Sequence, residues 1–460
     1  LRNRPVILFL IISLMLFNTA LNTASAVQGG SALQSESQDL EALQGYLDPA
    51  PLGMDVRYAW TLAGGRGENV TIVDIEVNWN LDHSDLTEAA SNSAFVIRGA
   101  DPQPEINVNH GTAVLGELVA AQDGTGITGI ANKARLGLVS PLVEGTVPRV
   151  GDAINRAARD LQKGDVILIE AQSFVGPRLD PRTGKGLAPI EYETPVFQAI
   201  KAATSLGIVV VVPAANGFDN LDEASYGGTF DRGVRDSGAI LVGAGIAGGR
   251  RDRERTDESN YGSRVDVQGW GRSIMTCGYG DLQREQGENN WYTDQFGGTS
   301  GAAAMVAGAA AILQSILIAR GHSPLSPTDL RRLLVLTGTP QSGNTDENIG
   351  PRPNLRAAIE YLDSNPRDRE PVITRTKMKG TKLLVDGESF LAREAVIEID
   401  GIPITKHKYP SAYFLPNGIT TRVMTKRDVT AMLPVGVDVA ITVFNPSTNR
   451  RSQPVLFRRN

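Results

Sequence analysis

Residues 208–214 read IVVVVPA. A strand with one wet face alternates apolar and polar residues; a run that is apolar on both faces belongs to a sheet covered on both sides. Similar runs lie on either side of it, at 69–77 (NVTIVDIEV), 134–139 (ARLGLV), 165–171 (DVILIEA) and 239–244 (AILVGA). Between and after them, 111–121, 150–162, 197–205 and the Ala-rich 299–320 carry helical patterns. Strands that alternate with helices predict an α/β fold with a doubly wound parallel sheet.

Beyond a Pro- and charge-bearing stretch at 364–370 the pattern changes. From 371 to 460 there are short alternating strands, such as 382–385, 395–399 and 437–444, separated by Asp386-Gly387, Asp400-Gly401 and Pro416-Asn417-Gly418. This predicts a small all-β immunoglobulin-like sandwich. The tail is net basic, although the whole chain carries a formal charge of −6. No basic stripe with interleaved aromatics is present, so nucleic acid is not expected as a partner.

The first 26 residues read as a signal peptide. Arg2 and Arg4 precede the apolar 6–17, and Ala24-Ser25-Ala26 forms an A-x-A site. Residues 27–45 are polar and read as a linker or short pro-segment. The mature chain is expected to be secreted, with no later membrane span. One cysteine, Cys277, excludes an internal disulfide and reads as a small apolar residue near a strand end.

Four residues carry the candidate chemistry. Asp74 ends the first strand, at the edge where parallel sheets present ligands. His110 opens a helix, Asn216 follows the apolar strand, and Ser300 opens the Ala-rich helix. A serine hydroxyl needs a base, an imidazole is that base, and a carboxylate fixes its tautomer. An amide donor binds the oxyanion, as do backbone N–H groups at a helix start. His83, His322 and His407 read as surface or loop residues.

These segments resemble the subtilase (peptidase S8) family. Gly298 to Gly308 (GTSGAAAMVAG) is similar to its serine motif, and Asn109 to Ala120 (NHGTAVLGELVA) to its histidine motif. Residues 70–86 (VTIVDIEVNWNLDHSDL) resemble its aspartate motif. Ala215-Asn216-Gly217, Ser259 to Gly262 and Val265 to Val267 also match. The resemblance covers about residues 46–363. It implies a subtilisin-like serine endopeptidase acting on protein or peptide substrates, with Asp74, His110 and Ser300 as the triad and Asn216 in the oxyanion hole. No cofactor is required by that chemistry. Structural calcium is common in the family, and Asp219, Asp222 and Glu223 form the acidic loop that could hold it.

The sequence departs from the family in several places. Asp-Thr/Ser-Gly is here Asp74-Ile75-Glu76. Glu76 shares a face with Asp74, so it either lies against that carboxyl or turns to solvent in the next loop. Ala113 and Ala304 replace a histidine and a proline. The substrate-strand segment reads Glu170-Ala171-Gln172, where a carboxylate would favour basic substrates, make a structural salt bridge, or mark a slipped alignment. No sizeable prodomain fits between 26 and 46. The altered aspartate motif leaves open a second reading, an inactive subtilase-fold scaffold. An α/β-hydrolase esterase would place its serine first and histidine last. The tail resembles an IPT/TIG domain, which implies a binding or spacer role, with extracellular surfaces or glycans as candidate contacts.

Overall fold

The computed structural model describes residues 38–97, 108–142, 149–174, 186–365, 370–415 and 419–459. The expected signal peptide and most of the 364–370 linker lie outside these residues. Contacts divide the chain into two units, one of residues up to Ile316 together with Ser326–Arg356, the other of Leu317–Leu325 with Ala357–Asn460.

In the first unit a short helix α1 (Val56–Ala59) precedes β1 (Thr71–Ile75), α2 (Thr87–Ser91), β2 (Phe95–Ile97), α3 (Asn109–Val119), β3 (Arg135–Val139), α4 (Val150–Ala157) and β4 (Val166–Ile169). Next come β5 (Gln172–Phe174), β6 (Leu187–Pro189), α5 (Thr194–Ser205), β7 (Val209–Pro213), β8 (Ile240–Gly245) and β9 (Val267–Trp270). A hairpin of β10 (Ile274–Cys277) and β11 (Tyr292–Phe296) leads to α6 (Gly298–Ala319), whose residues 317–319 are counted with the second unit, and to α7 (Pro327–Thr337); α8 (Leu355–Ser364) belongs to the second unit from Ala357 on. Seven parallel strands run in the order β2-β3-β1-β4-β7-β8-β9. The order reverses around β1, as in a doubly wound sheet.

Every residue of β1, β4, β7, β8 and β9 is buried, which accounts for their lack of alternation. Each fully buried valine of β7 contributes about 1.5–3 kcal/mol by leaving water. Helix α6 is long and apolar enough to cross a membrane, against the expectation that no later stretch is. In the fold 89% of its most apolar window is buried, so it serves as a core helix. Its small side chains allow close approach: a Cβ at Gly269 of β9 would lie 2.5 Å from the Ala302 carbonyl, and one at Gly308 would lie 2.7 Å from Ile130.

The polar stretch before residue 46 is less of a linker than its composition suggests. Gln44 is buried, its amide donating to the Thr128 carbonyl at 2.8 Å and accepting from the Thr128 N–H at 2.8 Å. Cys277 is buried at the end of β10, as expected.

Two antiparallel sheets build the second unit. One contains β12 (Val372–Lys379), β13 (Lys382–Leu391), β16 (His407–Lys408), β17 (Phe414–Leu415) and β18 (Ile419–Thr425). The other contains β14 (Val396–Ile399), β15 (Ile402–Pro403), β19 (Asp438–Asn445), β20 (Arg450–Arg451) and β21 (Val455–Arg458). Leu383, Val385 and Phe390 of the first share a core with Ile397, Ile441 and Val443 of the second. Asp400 and Gly401 both take positive φ and turn β14 into β15, as a two-residue hairpin needs. Asp386-Gly387 does not turn. β13 runs through it with a shift of register, and a Cβ at Gly387 would lie 2.0 Å from the Val372 carbonyl. Pro416-Asn417-Gly418 lies outside the described residues.

One ion cluster ties the sheet to its helices. Arg264 is 1% exposed and donates to Glu191 Oε1 at 2.8 Å and to Asp266 Oδ2 at 2.7 Å. Asp266 in turn accepts the Leu241 N–H of β8 at 2.8 Å. Removing the cation leaves the buried Glu191 carboxylate with only the Ser237 hydroxyl, while Asp266 keeps Arg232 and the Leu241 N–H. Arg264→Leu is therefore expected to cost about 3–5 kcal/mol in urea unfolding; a loss under about 1 kcal/mol, the worth of an exposed pair, would contradict this.

Candidate active site

The parallel ladder brings the acidic residues to one edge. β1 and β4 are neighbours with Ile75 opposite Ile169, so Glu76 and Glu170 are the next residues on adjacent strands. The Glu170 N–H donates to the Ile75 carbonyl at 3.0 Å and continues the ladder by one bond. β7 lies beside β4 and ends at Pro213, which carries Asn216 to the same edge. The N-terminal turns of α3 and α6 supply His110 and Ser300.

His110 meets Glu76, with Nδ1 and Oε2 2.5 Å apart. A carboxylate on Nδ1 requires the proton there and leaves Nε2 as the base. The expected partner, Asp74, sits one step deeper. Its Oδ2 accepts the Trp79 indole N–H at 2.7 Å, while Oδ1 has no partner. Both carboxyls point to the same face of β1, but Glu76 lies past the strand end and is one methylene longer, so it reaches the helix. Gly111 makes room: a Cβ there would lie 2.7 Å from Glu76 Cγ and 2.3 Å from the Asn78 carbonyl. The carboxyl bonded to His110 is thus Glu76 and not the expected Asp74, and Glu76 is 1% exposed instead of turned to solvent. The Phe296 ring meets the imidazole edge-on at 5.6 Å and limits its rotation.

Asn216 is held in one orientation. Its Oδ1 accepts the Thr299 N–H at 3.0 Å and the Thr299 hydroxyl at 3.1 Å, which turns Nδ2 to the other side. Gly298 takes φ +73°, and a Cβ there would lie 3.3 Å from that amide. Gln172 Oε1 accepts the Asn216 N–H at 3.1 Å and so couples β5 to the oxyanion segment. Ala171 is buried beside it. No hydrogen bond joins Ser300 to His110 in this structure; such bonds commonly tighten only when substrate is bound.

Glu170 makes no salt bridge among the described residues, and its carboxyl is buried beside the Ser300 hydroxyl. That hydroxyl lies close enough to favour the carboxylate, although neither oxygen makes a hydrogen bond of standard geometry. Glu117, two turns along α3 from His110, is also fully buried with both oxygens unpartnered. A Cβ on Gly301 would lie 3.1 Å from its Oε1.

The acids therefore hold their protons. Burial pushes Asp74, Glu117 and Glu170 well above the usual carboxyl range, and neighbouring carboxyls add to this for Asp74 and Glu170. Sequence reasoning saw the Asp74–Glu76 spacing; Glu117, at i+7 from His110 on α3, was legible but unused.

Metal sites were sought in the same terms. Asp222 accepts from the Ser263 N–H and hydroxyl at 2.8 and 2.6 Å, and Asp219 accepts from the Tyr226 hydroxyl at 2.9 Å. Both are therefore engaged in holding their own loops. Ligand atoms of His83, Asp85 and Cys277 lie within 4.8 Å of one another. Yet His83 bonds the Trp291 carbonyl at 2.9 Å, and Asp85 accepts from the Ile127 N–H at 2.8 Å and the Tyr292 hydroxyl at 2.7 Å. These partners already engage His83 and Asp85. His83 is buried, against expectation, because it caps the turn that carries Asp85. His407 is half-buried too, accepting the Ile397 N–H at 2.9 Å, and burial lowers its pKa to about 4. His322 pairs with Glu388.

Raised carboxyl pKa values have a fixed sign in stability. The folded unit binds protons that the unfolded chain has released, so this stabilisation is complete below the unfolded carboxyl range and is lost as pH rises through the folded pKa. Asp85, pushed up to about 6 by burial, begins that loss, and Glu117 extends it upward. Glu117→Gln keeps the shape without the proton. It is expected to raise Tm at alkaline pH, by about 2–4 °C for each kcal/mol recovered, with a smaller change in acid. Calorimetry showing equal shifts at both ends would refute this.

Comparison with known proteins follows the same lines. The subtilase family profile matches residues 65–351. An intracellular serine protease of Paenibacillus polymyxa is 27% identical over 324 residues, 68% of this chain and 87% of that protein. Subtilisin DY of Bacillus licheniformis is 28% identical over 60% of this chain and 86% of its own. An extracellular protease of Xanthomonas campestris pv. campestris is 27% identical, and the match spans 65% of this chain and 52% of that protein. Among solved structures, the prenylagaramide maturation protease PagA is 19% identical, with a TM-score of 0.48 over 67% of this chain and 98% of its own. With the profile spanning more than half of the chain, the protein belongs to the subtilase family of serine endopeptidases.

Proposed function

We propose that this subtilase cleaves protein or peptide substrates through an acyl-enzyme on Ser300, with His110 as general base and Glu76, in place of Asp74, as the carboxylate that orients it. The observation that carries this reading is the 2.5 Å contact between His110 Nδ1 and Glu76 Oε2. Ser300 Oγ attacks the scissile carbonyl, and its proton passes to His110 Nε2. Glu76 stabilises the imidazolium that forms. The Asn216 Nδ2–H group and backbone N–H groups of the first turn of α6 receive the oxyanion. His110 then protonates the leaving amine, and water releases the acyl group by the reverse sequence. Nothing in these steps needs a metal or an organic cofactor.

The segment Glu170-Ala171-Gln172 is the place for substrate backbone, since Gln172 touches the oxyanion segment directly. Glu170 itself is turned into the protein, which argues against a role in selecting basic side chains. Export of the chain is part of the proposal and rests on the N-terminal sequence; relatives include one named extracellular and one named intracellular. The C-terminal sandwich, read as an IPT/TIG-like domain, serves binding or spacing.

Three substitutions separate the roles. With a chromogenic peptide, Ser300→Ala is expected to abolish turnover. Glu76→Gln should lower kcat by about 10^4, the usual worth of the orienting carboxylate. Asp74→Asn should stay within about tenfold of the wild type. Loss with Asp74→Asn and retention with Glu76→Gln would restore the family's usual assignment. A folded wild type that neither cleaves peptide nor loses a signal on Ser300→Ala would favour the inactive scaffold.

A further inference from the structure

Glu170 has no role in the mechanism just described, yet it is the side chain that meets the nucleophile. The chain makes a tight turn at this residue: the Ala171 N–H donates to the Ile169 carbonyl at 3.0 Å, while the Glu170 N–H stays on the β1 ladder. The turn directs the side chain inward. Its carboxyl is shut away from solvent, with no standard hydrogen bond on either oxygen. The groups facing it are Asp74 and Glu76 from β1, Glu117 from α3 and Ser300 from α6, with His110 beyond Glu76. No arginine or lysine pairs with it among the described residues. Glu76 is the acid bonded to the imidazole, and among the groups facing Glu170 the Ser300 hydroxyl is the one that is not an acid.

We propose that Glu170 works as a neutral carboxylic acid against Ser300 Oγ, and that its ionisation switches the nucleophile off. The inference rests on the Ser300 peptidase reading and adds a control to it. As the acid, Glu170 donates its O–H to Ser300 Oγ and leaves the serine proton free to go to His110 Nε2. When Glu170 gives its proton to solvent, the carboxylate becomes a pure acceptor. It then takes the serine O–H in a charge-assisted bond and draws it from the imidazole. It also places a negative charge beside the site of the developing oxyanion, in a setting with little dielectric screening. One proton is exchanged with water and no other reactant is involved. Burial among carboxyls holds that proton well above the usual range, so the acid form persists to higher pH than in an exposed carboxyl. Serine peptidases with an imidazole base alone gain activity as pH rises and the base is freed; this one loses it.

The test uses the full-length protein and a fluorophosphonate probe that labels Ser300, with rates measured from about pH 4 to pH 9. The wild-type rate is expected to fall once Glu170 ionises, by about one decade for each pH unit beyond that point. Glu170→Gln, which keeps the shape and cannot ionise, should abolish that fall. Equal alkaline limbs in the two proteins would overturn the inference. If Glu170→Gln does not fold, the wild-type profile decides alone: a rate that rises through neutrality and stays high overturns it. Absence of labelling at every pH in both folded proteins would overturn the peptidase reading itself, and this inference with it. Labelling that persists in Ser300→Ala would do the same.

Discussion

The hydrogen bond between Glu76 and His110 organises the site, and several features of the chain are arranged around it. It needs β1 to end at Ile75, so that the next carboxyl emerges at the sheet edge. It needs Gly111, because any side chain there would strike Glu76 and the Asn78 carbonyl. It also needs α3 to start at Asn109, which places the imidazole within the first turn. The usual carboxyl position is still present as Asp74, but Trp79 covers it. Glu76, two residues further along and one methylene longer, reaches the imidazole instead.

A second constraint follows from the first. Four carboxyls share a buried region with a single imidazole and, among the described residues, no lysine or arginine ion pair. Buried carboxylates without partners are costly, so most of these groups stay protonated. The cluster around Arg264 shows the other solution in the same unit, where buried acids are matched by a guanidinium. The contrast is instructive. Near the sheet's far strands charge is neutralised by pairing, and at the catalytic edge it is suppressed by proton retention, which ties the site to pH.

Much of the fold was legible in the sequence, because runs such as IVVVVPA have only one comfortable home. The long helix was legible from its alanines, although its likeness to a membrane span was missed: composition cannot tell a lipid environment from the centre of a protein. Gly387 was misread as a turn residue because a glycine needed for close packing looks the same as one needed for positive φ. At the site, Ser300, His110 and Asn216 were singled out from their motifs, and the structure brings them to one edge of the sheet. That Glu76 and not Asp74 meets His110 was not legible, because the two share a face and only the depth of each along the strand separates them. Glu170 was suspected as a substrate contact; its inward direction depends on a turn at one residue, which no periodicity reveals.

The proton on His110 Nδ1 offers the most direct measurement. Its low-field proton NMR signal reports the carboxylate that accepts it. With isotope-labelled protein, the signal should persist in Asp74→Asn and move strongly upfield or vanish in Glu76→Gln. The reverse pattern, persistence in Glu76→Gln and loss in Asp74→Asn, would show that the imidazole is oriented by Asp74 and would contradict the assignment of Glu76.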